Sequence, residues 1–435
     1  MMSPGVSRGS VKKTVVVHRG ARDGYQVAAA LAEAGLLQRL VTDLYWPGDR
    51  PWAPKLALQA GGSIRQMLLA RYSPSLPSSL VTQTLSSGLI SHFLDKSKSP
   101  FSWRRRATRW TDQVMGRTAG HRALKTNSHL LSYSYYGYHA FSSFNRPGIL
   151  FQAHPHPISV RRILQRELEA NPDCSESLLK EWELSLPQED FDRLVEETRM
   201  AACILTASSF TRQTLMENGI DESIIHVVPY GIDRSRFSLT PSEVRRSAGG
   251  KLKLLFVGTI SQRKGIKYLL EAFRLVSSKN VELTVCGRVV DNLALFKPFG
   301  SRVTVQPSVS AAELLKAYRS ADLFVFPSVV EGFGQVLLES LACGLPVLTT
   351  TRTAAPDLIR PGIEGFIVEP CRQEALAERI EWALANRSAL SEMRQEASRT
   401  AAAFTWARFR KTIVDTVIAF QATQDADVKV VSQYA

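Results

Sequence analysis

Cysteine is scarce in this chain and never paired. Cys174, Cys203, Cys286, Cys343 and Cys371 are scattered, odd in number and nowhere spaced as C-x-x-C. That pattern excludes a disulfide framework and suits a reduced cytosol. No apolar run approaches the roughly 18 residues a membrane span needs. Low-complexity tracts are absent, and so is any repeat with a period of about 20–50 residues. The first residues, MMSPGVSRGSVKK, are basic but lead straight into a strand, which does not read as a secretory signal. G-x-G-x-x-G is missing after the first strand. H-E-x-x-H is missing throughout, and no histidine lies beyond His226. His154 and His156 form an H-x-H pair with no evident third ligand, so no metal site is expected.

Room and basic charge are what the chain does have. Its 435 residues can build two domains with full cores. A composition 44% hydrophobic and 22% charged is that of a globular protein. The net charge of +14 is concentrated: residues 51–125 hold twelve Lys or Arg against Asp95 and Asp112. Such a patch suits nucleic acid, anionic lipid or an acidic substrate. Within it, FSWRRRATRWTDQVMG places Trp103, Ala107, Trp110 and Val114 on one helical face, with Arg104, Arg105, Arg106 and Arg109 around the rest. This reads either as a membrane-surface helix or as a core-packing helix with a solvated arginine face. Nucleic acid is disfavoured, because no helix-turn-helix, RRM or zinc-finger pattern accompanies the arginines.

Strands and helices alternate on both sides of a break. Thr14-Val15-Val16-Val17-His18 is a strand built on β-branched residues, followed by a glycine-containing loop and a helix over residues 27–38. Tyr133, Tyr135, Tyr136 and Tyr138 form a cluster that serves either packing or a sugar or lipid acceptor. Residues 148–152 read as a buried strand ending at His154. Residues 160–200, with Glu167, Glu169 and Glu183, read as a solvated helix pair. Pro241, charge and Gly249-Gly250 mark a domain boundary near residues 238–251. A second strand–loop–helix series opens at Leu254, with Arg263-Lys264 on its first loop. The pattern predicts an α/β chain of two doubly wound sheets facing across a cleft. Its parts would be residues 1–238, residues 239–404 and a C-terminal helix over 405–435 with a frayed tail.

The densest chemistry lies in residues 321–350, ADLFVFPSVVEGFGQVLLESLACGLPVLTT. Residues 323–326 read as a buried strand and Pro327-Ser328 opens a loop. Val336, Leu337, Leu341 and Ala342 recur at helical spacing until Gly344 and Pro346 stop the helix. Free N–H groups at a helix N-terminus hold phosphate oxygens well. Gly332 and Gly334, lacking a Cβ, let a diphosphate approach the main chain. A carboxylate repels phosphate, so Glu331 and Glu339 suit sugar hydroxyls. Without further context they are a loop glutamate and a surface-helix glutamate. Arg263 and Lys264 suit a diphosphate through charge-assisted hydrogen bonds, or else solvent.

The P-S-x-x-E-G-F-G loop, the two glutamates with seven residues between them and the G-x-P-V after them closely resemble the signature of family 4 glycosyltransferases, the glycosyl transferases group 1. The likeness is strong from about residue 201 to residue 370 and weaker before. It implies the GT-B fold, with two Rossmann-like domains that bind the acceptor in the first and the nucleotide-sugar donor in the second. The activity implied is retaining, needs no metal or other cofactor, and moves a sugar from a nucleotide diphosphate to an acceptor hydroxyl. Glu331 would meet donor-sugar hydroxyls and Glu339 the ribose. Arg263 and Lys264, after Gly258, would clamp the diphosphate, and the backbone from Gly332 through Phe333, Gly334 and Gln335 to Val336 would meet it. His154 would face the donor sugar from the first domain, with His156 as the fallback. Gly20 and Arg22 are candidates in the first loop, where Gly20 and Gly24 replace the usual G-G pair. Ser308 is a candidate near the base, Asp357 stands where glutamate is common, and residues 406–420 would cross back onto the first domain.

The partners expected are a nucleotide-sugar donor, a carbohydrate or lipid-linked acceptor and an anionic membrane surface reached through residues 51–125. The setting would be polysaccharide or glycolipid assembly at the inner face of the membrane. Two alternatives remain open. An epimerase of the same fold would need acidic and histidine residues around the cleft, and the second half has no histidine. A scaffold that kept the fold would have no use for intact Arg263, Lys264, Glu331 and Glu339.

Overall fold

The structure is a computed structural model and describes residues 12–59, 61–84, 101–239 and 250–433. Most of the boundary expected near residues 238–251 and part of the basic segment lie outside the described residues.

Short runs rich in Val, Ile, Leu and Phe form two sheets whose strands are all parallel. β1 (Thr14–Val17), β2 (Leu37–Thr42), β3 (Val81–Gln83), β4 (His129–Tyr133), β5 (Gly148–Gln152), β6 (Ala201–Thr206) and β7 (Ile225–Val227) make the first. β8 (Leu252–Val257), β9 (Val281–Cys286), β10 (Val303–Gln306), β11 (Leu323–Phe326), β12 (Val347–Thr350) and β13 (Gly365–Val368) make the second. Helices cover both faces, so β1, β5, β11 and β12 are buried along their whole length.

The first sheet runs β3-β2-β1-β4-β5-β6-β7 and the second β10-β9-β8-β11-β12-β13. Both contain the 3-2-1-4-5-6 order of dinucleotide-binding sheets. Strand order reverses between β1 and β4, and again between β8 and β11. Ligands of such sheets bind at the carboxyl ends of the strands flanking that reversal.

Three expectations need correction. The first helix, α1 (Gln26–Glu33), is shorter than expected, because Gly35 takes a left-handed φ of +72° and ends it. Leu37–Thr42 is then free to pair with β1.

The second correction concerns residues 160–200, which are not a solvated pair. α2 (Pro157–Ala170) and the short turns after it dock onto the second domain. Glu167 is buried and accepts from Gln262 Nε2 at 2.7 Å and from the Tyr268 hydroxyl at 3.0 Å, while Lys267 pairs with Asp173 at 2.7 Å. Carboxylates that look solvated in sequence are buried because a second domain supplies their donors.

The third lies in the helix Phe101–Lys125, whose arginines do not form one solvated face. Arg105 donates to the Ser185 carbonyl at 2.6 Å, and Arg109 pairs with Asp190. Arg106 is exposed, as are Trp103 and Trp110.

The last helix, Trp406–Gln433, packs on the first domain. Phe409, Ile413, Val417 and Phe420 recur at helical spacing and are buried in the first domain's core. Arg410 Nε donates to Gln26 Oε1 at 2.6 Å, and Gln421 Nε2 donates to the Lys12 carbonyl at 2.8 Å. Gly231 permits the crossing, since a Cβ there would lie 2.3 Å from the Trp406 nitrogen. Among the described residues no helix is long and apolar enough to cross a membrane.

Candidate functional site

The loops at the two strand-order reversals face one another, and a cavity of about 680 Å³ lies between them. After β1 come Arg19 and Arg22, after β4 Tyr135 and Tyr136, and after β5 His154. The second sheet contributes Thr259, Ser261, Arg263 and Lys264 after β8, Arg288 to Val290 after β9, and Glu331 after β11. One further wall comes from Ser177 and residues 180–182 of the docked segment.

The two cations after β8 are not bare. Arg263 Nη1 donates to Glu181 Oε2 at 2.8 Å and to Glu183 Oε2 at 3.3 Å, and Nε reaches the Val330 carbonyl at 3.3 Å. Both carboxylates belong to the first domain, so this ion pair ties one domain to the other across the cleft. Lys264 pairs with Glu331 of its own domain. Burial, and then Arg263 beside it, pushes the Lys264 ammonium down to about 7, while Glu181 and Glu183 pull the other way. His154 lies edge-on to Tyr135 with ring centroids 5.8 Å apart. Burial and the charges of Arg22, Arg263 and Lys264 hold its imidazole well below its usual range, so it is neutral at neutral pH.

His156 takes no part in the cavity. It is buried at the N-terminus of α2, where its Nδ1 accepts from the Ile158 amide at 3.3 Å. Arg22 lies over the rings of Tyr135 and Tyr136 at 5.7 and 5.8 Å.

The other expected residues are placed differently. Gly20, at φ +73°, donates its amide to Asp43 Oδ1 at 2.9 Å and does not line the cavity. Gly258 (φ +152°) does not line it either. It lies where the ends of β8 and β9 close on each other, and a Cβ on neighbouring Gly287 would meet its carbonyl oxygen at 1.9 Å.

Gly332 lies where the two domains touch. A Cβ there would lie 2.2 Å from the Ala153 carbonyl oxygen of the first domain, and the Gly332 carbonyl accepts from Ser208 and Thr211 across the same contact. Phe333 is buried edge-on against Tyr230 at 5.1 Å. Gly334, at φ +80°, precedes the helix Gln335–Ala342. Gln335 Nε2 donates to the Gly231 carbonyl at 2.8 Å, and Val336 packs against the second core.

Glu339 does not share the cavity with Glu331. Its Oε2 accepts from the buried Tyr318 hydroxyl at 2.9 Å, and burial raises its pKa against the pull of Tyr318 and Arg236. Asp357 accepts from the Ser209 amide at 2.8 Å, which is another contact between the domains. Ser308 lines a separate cavity of about 580 Å³ beside β10.

Sequence reasoning missed Glu181, Trp182, Glu183 and Arg288. A tryptophan flanked by two carboxylates was the available signal for the first three. Trp182 lines the cavity with Tyr135 at 6.2 Å and carries the Arg105 guanidinium at 4.9 Å from its ring. An aromatic face beside carboxylates can hold a sugar ring and its hydroxyls. Among the described residues no group of three or more His, Cys, Asp or Glu is arranged to hold a metal ion.

Residues 241–402 match the family model described as Glycosyl transferases group 1. The D-inositol 3-phosphate glycosyltransferase of Pseudarthrobacter chlorophenolicus is 32% identical over 186 residues, which cover 39% of this chain and 44% of that one. The capsular polysaccharide biosynthesis glycosyltransferase CapM of Staphylococcus aureus is 31% identical over 192 residues, covering 41% and 50%. The chain thus spans about half the length of the curated relatives it matches. The crystal structure of Anabaena HepE in complex with UDP-glucose superposes with a TM-score of 0.61 over 94% of this chain and 100% of that one, at 16% identity, a likeness of fold. The chain has the GT-B fold, and its second domain is similar to the glycosyl transferases group 1 family.

Proposed function

We propose that the chain is a retaining glycosyltransferase that moves a sugar from a nucleotide diphosphate to an acceptor hydroxyl, without a metal. The observation that carries this reading is the convergence of Arg263, Lys264 and Glu331 at the strand-order reversal of the second sheet, opposite His154 and Arg22 of the first. As the glycosidic bond breaks, negative charge grows on the leaving phosphate. Arg263, Lys264 and the N-terminus of the helix Gln335–Ala342 supply the positive charge that stabilises it. Glu331 accepts from donor-sugar hydroxyls once the phosphate has drawn Lys264 away, and Glu339, outside that cavity, accepts from the ribose through Oε1, the oxygen that Tyr318 does not occupy. Neutral His154 offers a hydrogen bond to the sugar from the acceptor side.

The acceptor site lies on the first domain, against Tyr135 and Trp182. A uridine donor is the first to test, since the HepE structure holds UDP-glucose. We place the chain in polysaccharide or glycolipid assembly, cytoplasmic and peripheral at the inner face of the membrane. Exposed Trp52, Leu56, Trp103 and Trp110 on a basic segment support that placement. Flotation with vesicles of anionic or neutral lipid tests the membrane part, and equal recovery with both removes it.

The reaction itself is tested by nucleoside diphosphate release from UDP-glucose, GDP-mannose and ADP-glucose, with and without EDTA. Release from one donor that EDTA leaves unchanged supports the reading. Release that EDTA abolishes removes the metal-free part, and no release from any donor counts against transferase activity.

A further inference from the structure

Six cations line the cleft, and four of them already face a carboxylate. Arg263 has Glu181 and Glu183, Lys264 has Glu331, Arg19 lies 3.8 Å from Asp112, and Lys180 pairs with Glu176 at 2.8 Å. The remaining two are Arg22 and Arg288, which have no carboxylate within ion-pair distance among the described residues. They come from opposite sheets. Arg22 feels the more distant charge of Asp112 but, like Arg288, makes no ion pair, and two guanidiniums so placed on opposite sides of one cavity favour an anionic ligand between them.

We infer that Arg288 is a ligand of the donor's diphosphate and that Arg22 meets the same group from across the cleft. This rests on the proposed donor site and goes beyond it, because the charge of Arg263 is largely taken up by the first domain. The position of Arg288 ties it to the donor. It follows β9, next to β8 in the sheet. The Ile260 amide donates to the Arg288 carbonyl at 2.8 Å, and the Val290 and Asp291 amides donate to the Ile260 carbonyl at 3.0 and 3.1 Å. These bonds fasten the backbone of Arg288 to the same loop that carries Ser261, Arg263 and Lys264. A nucleotide sugar carries one negative charge on each of its two phosphates, which matches the two open guanidiniums. The planar fork of Arg288 is suited to two phosphate oxygens at once.

The test is calorimetric titration of UDP, GDP and ADP into wild type and Arg288→Gln, followed by the monophosphate and the nucleoside of whichever diphosphate binds. Arg288→Gln should weaken the diphosphate roughly ten-fold or more and leave the nucleoside unchanged. Arg288→Lys should recover part of the loss. The Arg288 side chain is exposed, so the melting temperature should not move; Arg22→Gln, checked in the same way, should give a second loss. Equal diphosphate affinity for wild type and Arg288→Gln overturns the inference while leaving the donor site standing. Wild type that binds none of the three overturns the donor site, and this inference with it.

Discussion

Arg263 of the second domain donates to Glu181 of the first at 2.8 Å, with Glu183 completing the pair at 3.3 Å. On the proposed donor site, a phosphate that meets Arg263 would have to displace or share these carboxylates. Glu181 lines the cavity. Glu181→Gln removes one negative charge from the wall where a dianion would bind and leaves Glu183 to orient Arg263. Diphosphate affinity should then rise by roughly three- to ten-fold at low salt, and the gain should shrink as salt is added. A weaker nucleotide complex would mean that Glu181 orients Arg263 for the ligand and does not compete with it.

Lys264 gives the site a pH dependence. Its ammonium is pushed down to about 7, first by burial and then by Arg263. A bound diphosphate favours the charged form and raises that value, so binding takes up a proton above about pH 7. Affinity should fall as pH rises from about 7 to 9, by up to about ten-fold per unit within the window. His154 stays neutral across it, its titration held well below the usual range. Titration at several pH values in buffers of different ionisation enthalpy reads the uptake directly, and Lys264→Met should flatten it. An affinity equal at pH 6.5 and pH 9 would rule this account of Lys264 out.

Gly332 is a point of direct contact between the two domains. A Cβ there would lie 2.2 Å from backbone, which no side-chain rotation relieves. Gly332→Ala should cost about 1–3 kcal/mol and lower the melting temperature by several degrees. Gly62→Ala is the control, since nothing lies within 4 Å of a Cβ there, and it should be neutral or slightly stabilising. Similar melting temperatures for both variants would contradict the contact.

Phe409 joins the last helix to the first domain, near Phe151, Tyr230 and Trp406. It is 1% exposed. Phe409→Ala should cost about 3–5 kcal/mol, read by denaturant unfolding. A loss under 1 kcal/mol would mean that the helix is not part of that core.

The alternation of apolar strands and amphipathic helices carried the two-sheet architecture, because parallel strands buried on both faces are legible as short apolar runs. Arg263, Lys264, Glu331 and His154 were legible because each stands at the end of such a run, where the sheet's topology delivers it to the cleft. Other features were hidden for physical reasons. Glu167 and Glu183 look like solvent-facing charges until Gln262, Tyr268 and Arg263, all more than 75 residues away, supply their partners. Gly332 reads as a phosphate-loop glycine, and nothing in the sequence shows that it also clears the backbone at Ala153. Periodicity reports burial along one element and carries no information on which distant element covers it.

The central claim is a nucleotide diphosphate site on the second domain, and calorimetry without added metal tests it most directly. UDP, GDP and ADP are titrated into wild type, Arg263→Ala and Glu339→Ala. The account predicts that one of the three binds the wild type and that both substitutions weaken it, by roughly ten-fold or more. Failure of all three to bind the wild type, or binding that neither substitution alters, would contradict it.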